Sequence, residues 1–429
     1  MSFEKTFCPS PWFHMGIDQS GKYIPCRWAV KRKENNDLSI NDIDIDQYFQ
    51  VSLANIRKEI LNGNSPSICQ DCNQMENHSK VSGRLKQRLK VGILQENFEK
   101  SLLSSPWFKK FNESAVDGTV DLLPVDWQID LGNFCNSGCI FCHPTASSTL
   151  ASEWKKLGLI KNIPAPSWCT NDDLVGKFLQ TIKNSKNIRY LHFIGGETLI
   201  TPAFKKILKE LINSNHTSAV IGFTTNLTVW DDEIIELLSN FNLVNVGLSI
   251  EALTPVNDYV RWPSKIDRVK ELLDKWVKVS KERGWLIQMR VTPTIFTVSF
   301  LDDIFEYAWE NNLPVESCNF LDNPEYLRPS LLPQPFRQVA IEKLKKWIKK
   351  HDQNINTSNK IVNNRHPDTV KSYLIQDANS YITYLENEDY ETDRLPDLVN
   401  YLKLIERNRN NSILDYVPEY EEFLRPAGY

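Results

Sequence analysis

The chain has 429 residues, 41% of them hydrophobic and 24% charged, and 50 Lys and Arg against 54 Asp and Glu leave a formal net charge of −4. That length predicts two or three domains with enough core to stand without disulfides or zinc as staples. No 18-residue apolar run, no Lys/Arg block and no basic-then-apolar start argue against a membrane span, non-specific duplex binding and secretion, so a cytoplasmic protein is expected.

Residues 1–100 hold strand-like segments at 13–18 and 22–26 around a turn at Gly21, then a polar stretch over 31–46. Helical spacing follows at Leu53, Ile56, Ile60 and Leu61, and a basic helix is expected over 80–99. A linker is expected over 101–125. From 126 to 321, strands are expected at 125–131, 188–194, 219–224, 243–250, 287–293 and 315–321. Helices at 172–184, 203–213, 231–239, 265–283 and 301–311 separate them. Strand and helix in alternation mean parallel βα units with right-handed crossovers. Six strands are too few for a closed eight-stranded barrel, so an α/β partial (β/α)6 barrel or an open twisted sheet is expected. Its ligands would gather where the strands end. Residues 322–429 begin with a proline-rich connector and then read as a mostly helical extension, whose acidic patch at 386–393 reads as a solvated face.

Seven of the nine cysteines fall in two groups, which in a reducing compartment suggests metal ligands or redox groups. Cys135, Cys139 and Cys142 have C-x3-C-x2-C spacing directly after the first of the six strands. Three thiolates on one loop can hold three irons of a [4Fe–4S] cube and leave the fourth iron open to a ligand. Gly138 would let the loop wrap closely around the cluster, and Phe141 would shield it. The alternative is a structural zinc completed by His143, although adjacent donors at 142 and 143 splay apart and such sites usually draw on two separate knuckles.

The triplet and the strand ends that follow resemble the radical S-adenosylmethionine (SAM) superfamily. Gly195-Gly196-Glu197 ends the second strand and resembles the family's GGE motif, in which backbone and carboxylate receive the methionine amino group. Asn226 stands at a third strand end that resembles a TNG-like motif, with Leu227 in place of the glycine. Ser249 and Glu251, two apart and so on one face of the fourth strand, resemble the pair that contacts the ribose and methionine parts of SAM, where many relatives carry Asp instead of Glu. Arg261, or its rival Arg290 on strand five, would face the SAM carboxylate. The resemblance covers residues 126–320.

Cys8 is followed by twelve residues and Gly21, then four residues and Cys26, and later by Cys69-x2-Cys72. This resembles the auxiliary-cluster module of SPASM and Twitch domains, placed here before the barrel as in an N-terminal Twitch subgroup. Four thiolates would fill every iron of a second [4Fe–4S] cluster, making it an electron conduit or a structural post. A zinc ribbon on the same cysteines is not excluded by spacing. His14 and His78 read as ordinary histidines and Cys169 as structural. Cys318, on strand six, is a candidate hydrogen donor to a substrate radical, against the commoner case of an inert buried thiol.

The resemblance implies reductive cleavage of SAM to a 5′-deoxyadenosyl radical, which takes hydrogen from a substrate with the auxiliary cluster assisting. A peptide or protein substrate leads, with an external electron donor such as flavodoxin or ferredoxin. A small molecule (sugar, amino acid or nucleotide) is the alternative within the class. A non-catalytic iron–sulfur or zinc protein, or a nucleic-acid-binding zinc protein, is the alternative outside it. Trp12, Trp28 and Trp127 could stack bases but are not interleaved with basic clusters, which argues against nucleic acid.

Overall fold

The computed structural model describes residues 3–26, 38–77, 82–114, 117–121, 123–316, 321, 323–351, 367–387 and 389–429. They divide into two compact units. One comprises Met1–Asn133, Ala165–Phe223 and Asp232–Val244, the other Phe134–Pro164, Thr224–Asp231 and Asn245–Tyr429.

In the first unit, β1 (His14–Ile17) and β2 (Tyr23–Ile24) form the expected antiparallel hairpin, with Gly16 opposite Ile24. Asp18 builds the turn by accepting from the backbone N–H of Ser20 at 2.8 Å and of Lys22 at 2.9 Å. Gly21 supplies the left-handed residue there, at φ +88°. The hairpin then joins the parallel strands: β1 pairs with β3 (Asp126–Asp130), from His14 opposite Asp126 to Ile17 opposite Ile129. β3 pairs in parallel with β4 (Tyr190–Ile194), and β4 with β5 (Val220–Thr225).

These strands are rich in apolar side chains because helices cover them. The helix Asp172–Asn184 starts at Asn171, whose side chain accepts from the N–H groups of Asp173 and Leu174. The helix Pro202–Asn213 begins with its proline and buries Phe204, Ile207, Leu208 and Leu211 along one stripe.

In the second unit, β6 (Leu243–Ser249) pairs in parallel with β7 (Leu286–Arg290), and β7 with β8 (Val315–Glu316). The strand order is β2-β1-β3-β4-β5 in the first unit and β6-β7-β8 in the second. Strands β3 to β8 are the six expected of a partial (β/α)6 barrel. The long helix Ile266–Arg283 ends at Gly284 in the left-handed conformation, φ 68°. The expected helical extension contains Gln334–His351, Pro367–Asn387 and Leu395–Arg409. Among the described residues no helix is long and apolar enough to cross a membrane.

The single basic helix expected over 80–99 is a correction. The helix Gly83–Lys90 stops before Gly92, which takes φ +76°, and a second helix, Phe98–Ser104, starts afresh. Within 101–125 lies the helix Phe108–Glu113, with Phe111 buried in the N-terminal apolar cluster.

Candidate active site

The triplet cysteines lie in the second unit, on a loop fixed at both edges. Cys135 O accepts from Ser148 Oγ at 3.1 Å and Thr149 Oγ1 at 2.7 Å. Ser147 caps the helix Ser148–Lys156 through Leu150 N, and its hydroxyl also donates to Ser137 O at 2.6 Å. On the other edge, Gly138 N donates to Trp262 O at 2.7 Å and Ile140 N to Val260 O at 3.0 Å. Gly138 does not take a left-handed φ, contrary to the reason expected for it. Its value is space: a Cβ there would stand 3.2 Å from Arg409 Nη2 and 3.5 Å from the Trp262 ring.

Burial pushes the Cys142 thiol up to about 12, and Cys139 and Cys135 nearby add to the rise. Burial also raises the Cys139 thiol, against the pull of the Arg261 charge. One buried and two half-buried thiols within electrostatic reach resist ionising together, which is what a cationic iron centre would reverse. His143 is exposed and its Nδ1 lies 2.8 Å from Thr145 Oγ1.

Arg261 sits against this loop. Its Nη1 is 3.8 Å from Cys139 Sγ and its guanidinium lies over the Phe141 ring. Its Nε and Nη2 both donate to Glu251 Oε1, and Thr292 N donates to Oε2. Glu251 is fully buried and lies beyond the end of β6. The strand stops at Ser249, so the two-residue alternation expected to set Ser249 and Glu251 side by side ends before it reaches Glu251. Asn226 Nδ2 is 3.0 Å from Ser137 Oγ and 4.0 Å from Cys135 Sγ. Leu227 adopts φ 60°, the conformation a glycine would take there, with its side chain fully buried. Arg290 pairs with Glu316 at 2.8 Å on the adjacent strand and covers Gly247.

The C-terminal extension supplies residues that sequence reading missed. Arg409, at the end of the helix Leu395–Arg409, donates to Gly138 O and to both oxygens of the buried Glu153. Tyr401 donates to Ile140 O at 3.1 Å. Both contacts hold the cysteine loop from more than 250 residues away in sequence.

Gly195-Gly196-Glu197 belongs to the first unit. Gly195 takes φ +128°, and a Cβ on it would meet Gly132 O at 2.5 Å. Gly196 N donates to Gly132 O at 2.6 Å. Glu197 is fully buried, and its Oε1 accepts from Leu199 N at 3.1 Å.

Residues 129–295 match the model of the radical SAM superfamily. They form a radical SAM domain. Over 188 residues the chain is 25% identical to the sporulation killing factor maturation protein SkfB of Bacillus subtilis (strain 168), covering 44% of this chain and 39% of SkfB. The chain thus spans about two fifths of that curated relative. Among solved structures, Streptococcus suis SuiB bound to S-adenosylmethionine matches at 15% identity and TM-score 0.35, covering 68% of this chain and 62% of SuiB. Native anSMEcpe with bound AdoMet matches at 17% identity and TM-score 0.38, covering 54% and 62%.

Ahead of the radical SAM domain, the other four grouped cysteines come together. Cys8 follows the first helical turn, Cys26 follows β2, Cys69 ends the turn Ser67–Cys69, and Cys72 lies on the helix Gln70–Asn77. All four line one cavity in the first unit, roofed by Ile56, Ile60 and Ile68. Burial drives the Cys8 thiol well up, and the thiols of Cys26, Cys69 and Cys72 add to that rise. Burial also pushes Cys69 up to about 11, opposed by Arg84. Among the described residues, no three His, Cys, Asp or Glu side chains are gathered as they would be around a single metal ion. A cube that takes one thiolate at each corner needs no such convergence on one point.

Elsewhere, His14 bonds Asp126 at 3.1 Å and is buried, and Trp12 and Trp127 are fully buried. Cys169 is buried, its thiol 2.7 Å from Leu131 O. Trp28, His78 and Cys318 lie outside the described residues.

Proposed function

We propose that this protein is a radical SAM enzyme that removes a hydrogen atom from a peptide or protein, with one [4Fe–4S] cluster on Cys135, Cys139 and Cys142 and a second on Cys8, Cys26, Cys69 and Cys72. The observation that carries the reading is the pinned triplet loop within residues that match the superfamily: it offers three thiols, and so leaves one iron of a cube for SAM. Held by Cys135, Cys139 and Cys142, the cluster would supply one electron, drawn from a donor such as flavodoxin or ferredoxin, for the cleavage of SAM to methionine and a hydrogen-abstracting 5′-deoxyadenosyl radical.

The residues of the chain position and shield. Phe141 and Arg261 cover the loop beside Cys139, and Glu251 holds Arg261 in place. Asn226 steadies the loop at Ser137, leaving Ser249 and Arg290 at the strand ends as candidates for the ribose and carboxylate of SAM. The Gly195-Gly196 backbone and Glu197 are candidates for its amino group. The second cluster is supported by four thiols lining one cavity. The peptide class is supported by the similarity to a protein named for maturing a killing factor.

The test is anaerobic reconstitution with iron and sulfide, followed by assays for metal content and for 5′-deoxyadenosine under reducing conditions. About eight irons per chain are expected, falling to about four in Cys69→Ala/Cys72→Ala, since each cube carries four. Cys139→Ala should abolish 5′-deoxyadenosine. Deuterium passing into 5′-deoxyadenosine from a deuterated peptide supports the substrate class, and transfer only from a deuterated small molecule overturns it.

A further inference from the structure

The four-cysteine cavity is lined by more than thiols. Ser10, Arg84 and Gln87 also line it, at 1%, 2% and 3% exposure. Each has a buried polar atom with no protein partner: Ser10 Oγ, Arg84 Nε and Gln87 Oε1. A buried polar atom without a partner is costly, so three around one cavity mark a place built for something polar. Arg84 and Gln87 lie three apart on the helix Gly83–Lys90 and so share a face.

The rest of the Arg84 guanidinium is fixed. Nη1 donates to Lys5 O and lies 3.4 Å from Glu76 Oε2, and Nη2 donates to Asn73 Oδ1. The side chain is thus held while its Nε–H remains for the cavity, and its charge acts on the Cys69 thiol. One turn on, Arg88 is buried too, with Nε donating to Phe7 O at 2.8 Å and its charge within reach of Cys8. Arg84 therefore lines, and Arg88 lies near, a site whose four cysteines would carry negative charge as thiolates once iron is bound.

Resting on the reading that these cysteines hold a [4Fe–4S] cluster, we infer that Arg84 sets its reduction potential, donating its Nε–H to a sulfur of that cluster. Hydrogen bonds to the sulfurs, net charge and solvent exposure set such potentials. Reduction adds one electron to an already anionic, buried group. A fixed guanidinium stabilises the reduced form most and so raises the potential, with Arg88 adding through its charge. Arg84 is a positioning residue in this scheme and needs no contact with substrate.

The test uses the full chain carrying Cys135→Ala, Cys139→Ala and Cys142→Ala, so that only the N-terminal site is loaded. Iron and sulfide are measured first. Fewer than one cluster per chain on four intact N-terminal cysteines sinks the cluster reading itself. With about four irons bound, the midpoint of the one-electron reduction is followed by electron paramagnetic resonance. Arg84→Gln should move it down by at least about 59 mV, a tenfold shift in the one-electron equilibrium. Arg84→Lys, which keeps the charge, should recover part of that shift. An unchanged midpoint in Arg84→Gln overturns the inference. Should Arg84→Gln fail to fold, pulsed resonance on the reduced chain labelled with 15N-arginine decides. A nitrogen coupling that is absent in Arg84→Lys supports the inference, and no arginine coupling in the parent chain overturns it.

Discussion

Glu251 and Arg261 show what a buried pair at the site contributes. Glu251 is fully buried and Arg261 is 8% exposed, so both charges have left water and each depends on the other. Burial pushes the Glu251 carboxyl up, opposed by Arg261 and the Thr292 N–H. Such a pair adds little net stability, but removing one member strands the other at a cost of about 3–5 kcal/mol. Arg261→Met should therefore lower the urea-unfolding free energy of the apoprotein by about that amount. Glu251→Gln, which still accepts from Thr292, should cost less. The double variant should recover part of the Arg261→Met loss, and additive losses would show that the pair is not coupled. Leu227 sets the opposite balance. Glycine would relieve its positive φ by about 1 kcal/mol, yet would empty a fully buried leucine site worth roughly 2–5 kcal/mol. The sequence showed a leucine where a glycine was expected, but only the structure shows that the leucine adopts the glycine's conformation.

At the scale of elements, the cysteine loop is held by a helix that the sequence left without a role. Arg409 reaches Gly138 O from 271 positions away, and its pairing with Glu153 ties the helix after the cysteine loop to the helix Leu395–Arg409. Arg409→Gln should loosen the loop and strand Glu153. The triplet's iron should then be lost to a chelator at least tenfold faster, with iron on the N-terminal cysteines unchanged. Equal loss from both sites would point instead to general destabilisation. Periodicity and motif spacing are local signals, so they located the triplet, the ends of β3 to β6 and most helices to within a residue or two, whereas the strand expected over 287–293 stops at Arg290. Contacts such as Arg409 to Gly138, Arg84 to the N-terminal cysteines and Arg261 to Glu251 depend on chain crossings that leave no local pattern. The hairpin illustrates both cases: its turn at Gly21 was legible, whereas its pairing in parallel with β3 was not.

For the molecule as a whole, two carboxylates on β3 set opposing pH dependences. Burial works against the Asp126 carboxylate, but the hydrogen bonds and charges of His14 and Lys90 bring it down to about 2. Its folded value lies below its unfolded one of about 3.9, so it stabilises the fold above pH 4 and loses that contribution as pH falls towards 2. Asp130 runs the other way. Burial pushes it up to about 6, helped by Asp18 and only partly offset by the N–H of Gly132. The folded state then holds the proton more tightly than the unfolded chain, so stability is highest below pH 4 and declines as pH rises from 4 to 6. Asp130 retains some solvent contact, which reduces the full effect to about 2 kcal/mol. Asp130→Asn keeps an oxygen to accept from Gly132 but cannot ionise. Its urea-unfolding free energy, measured against wild type on the apoprotein, should gain about 1 kcal/mol between pH 4.5 and 7. A difference that stays constant across that range would mean the Asp130 carboxylate is already ionised at pH 4.5, with its negative charge accommodated beside Gly132 and Gly195.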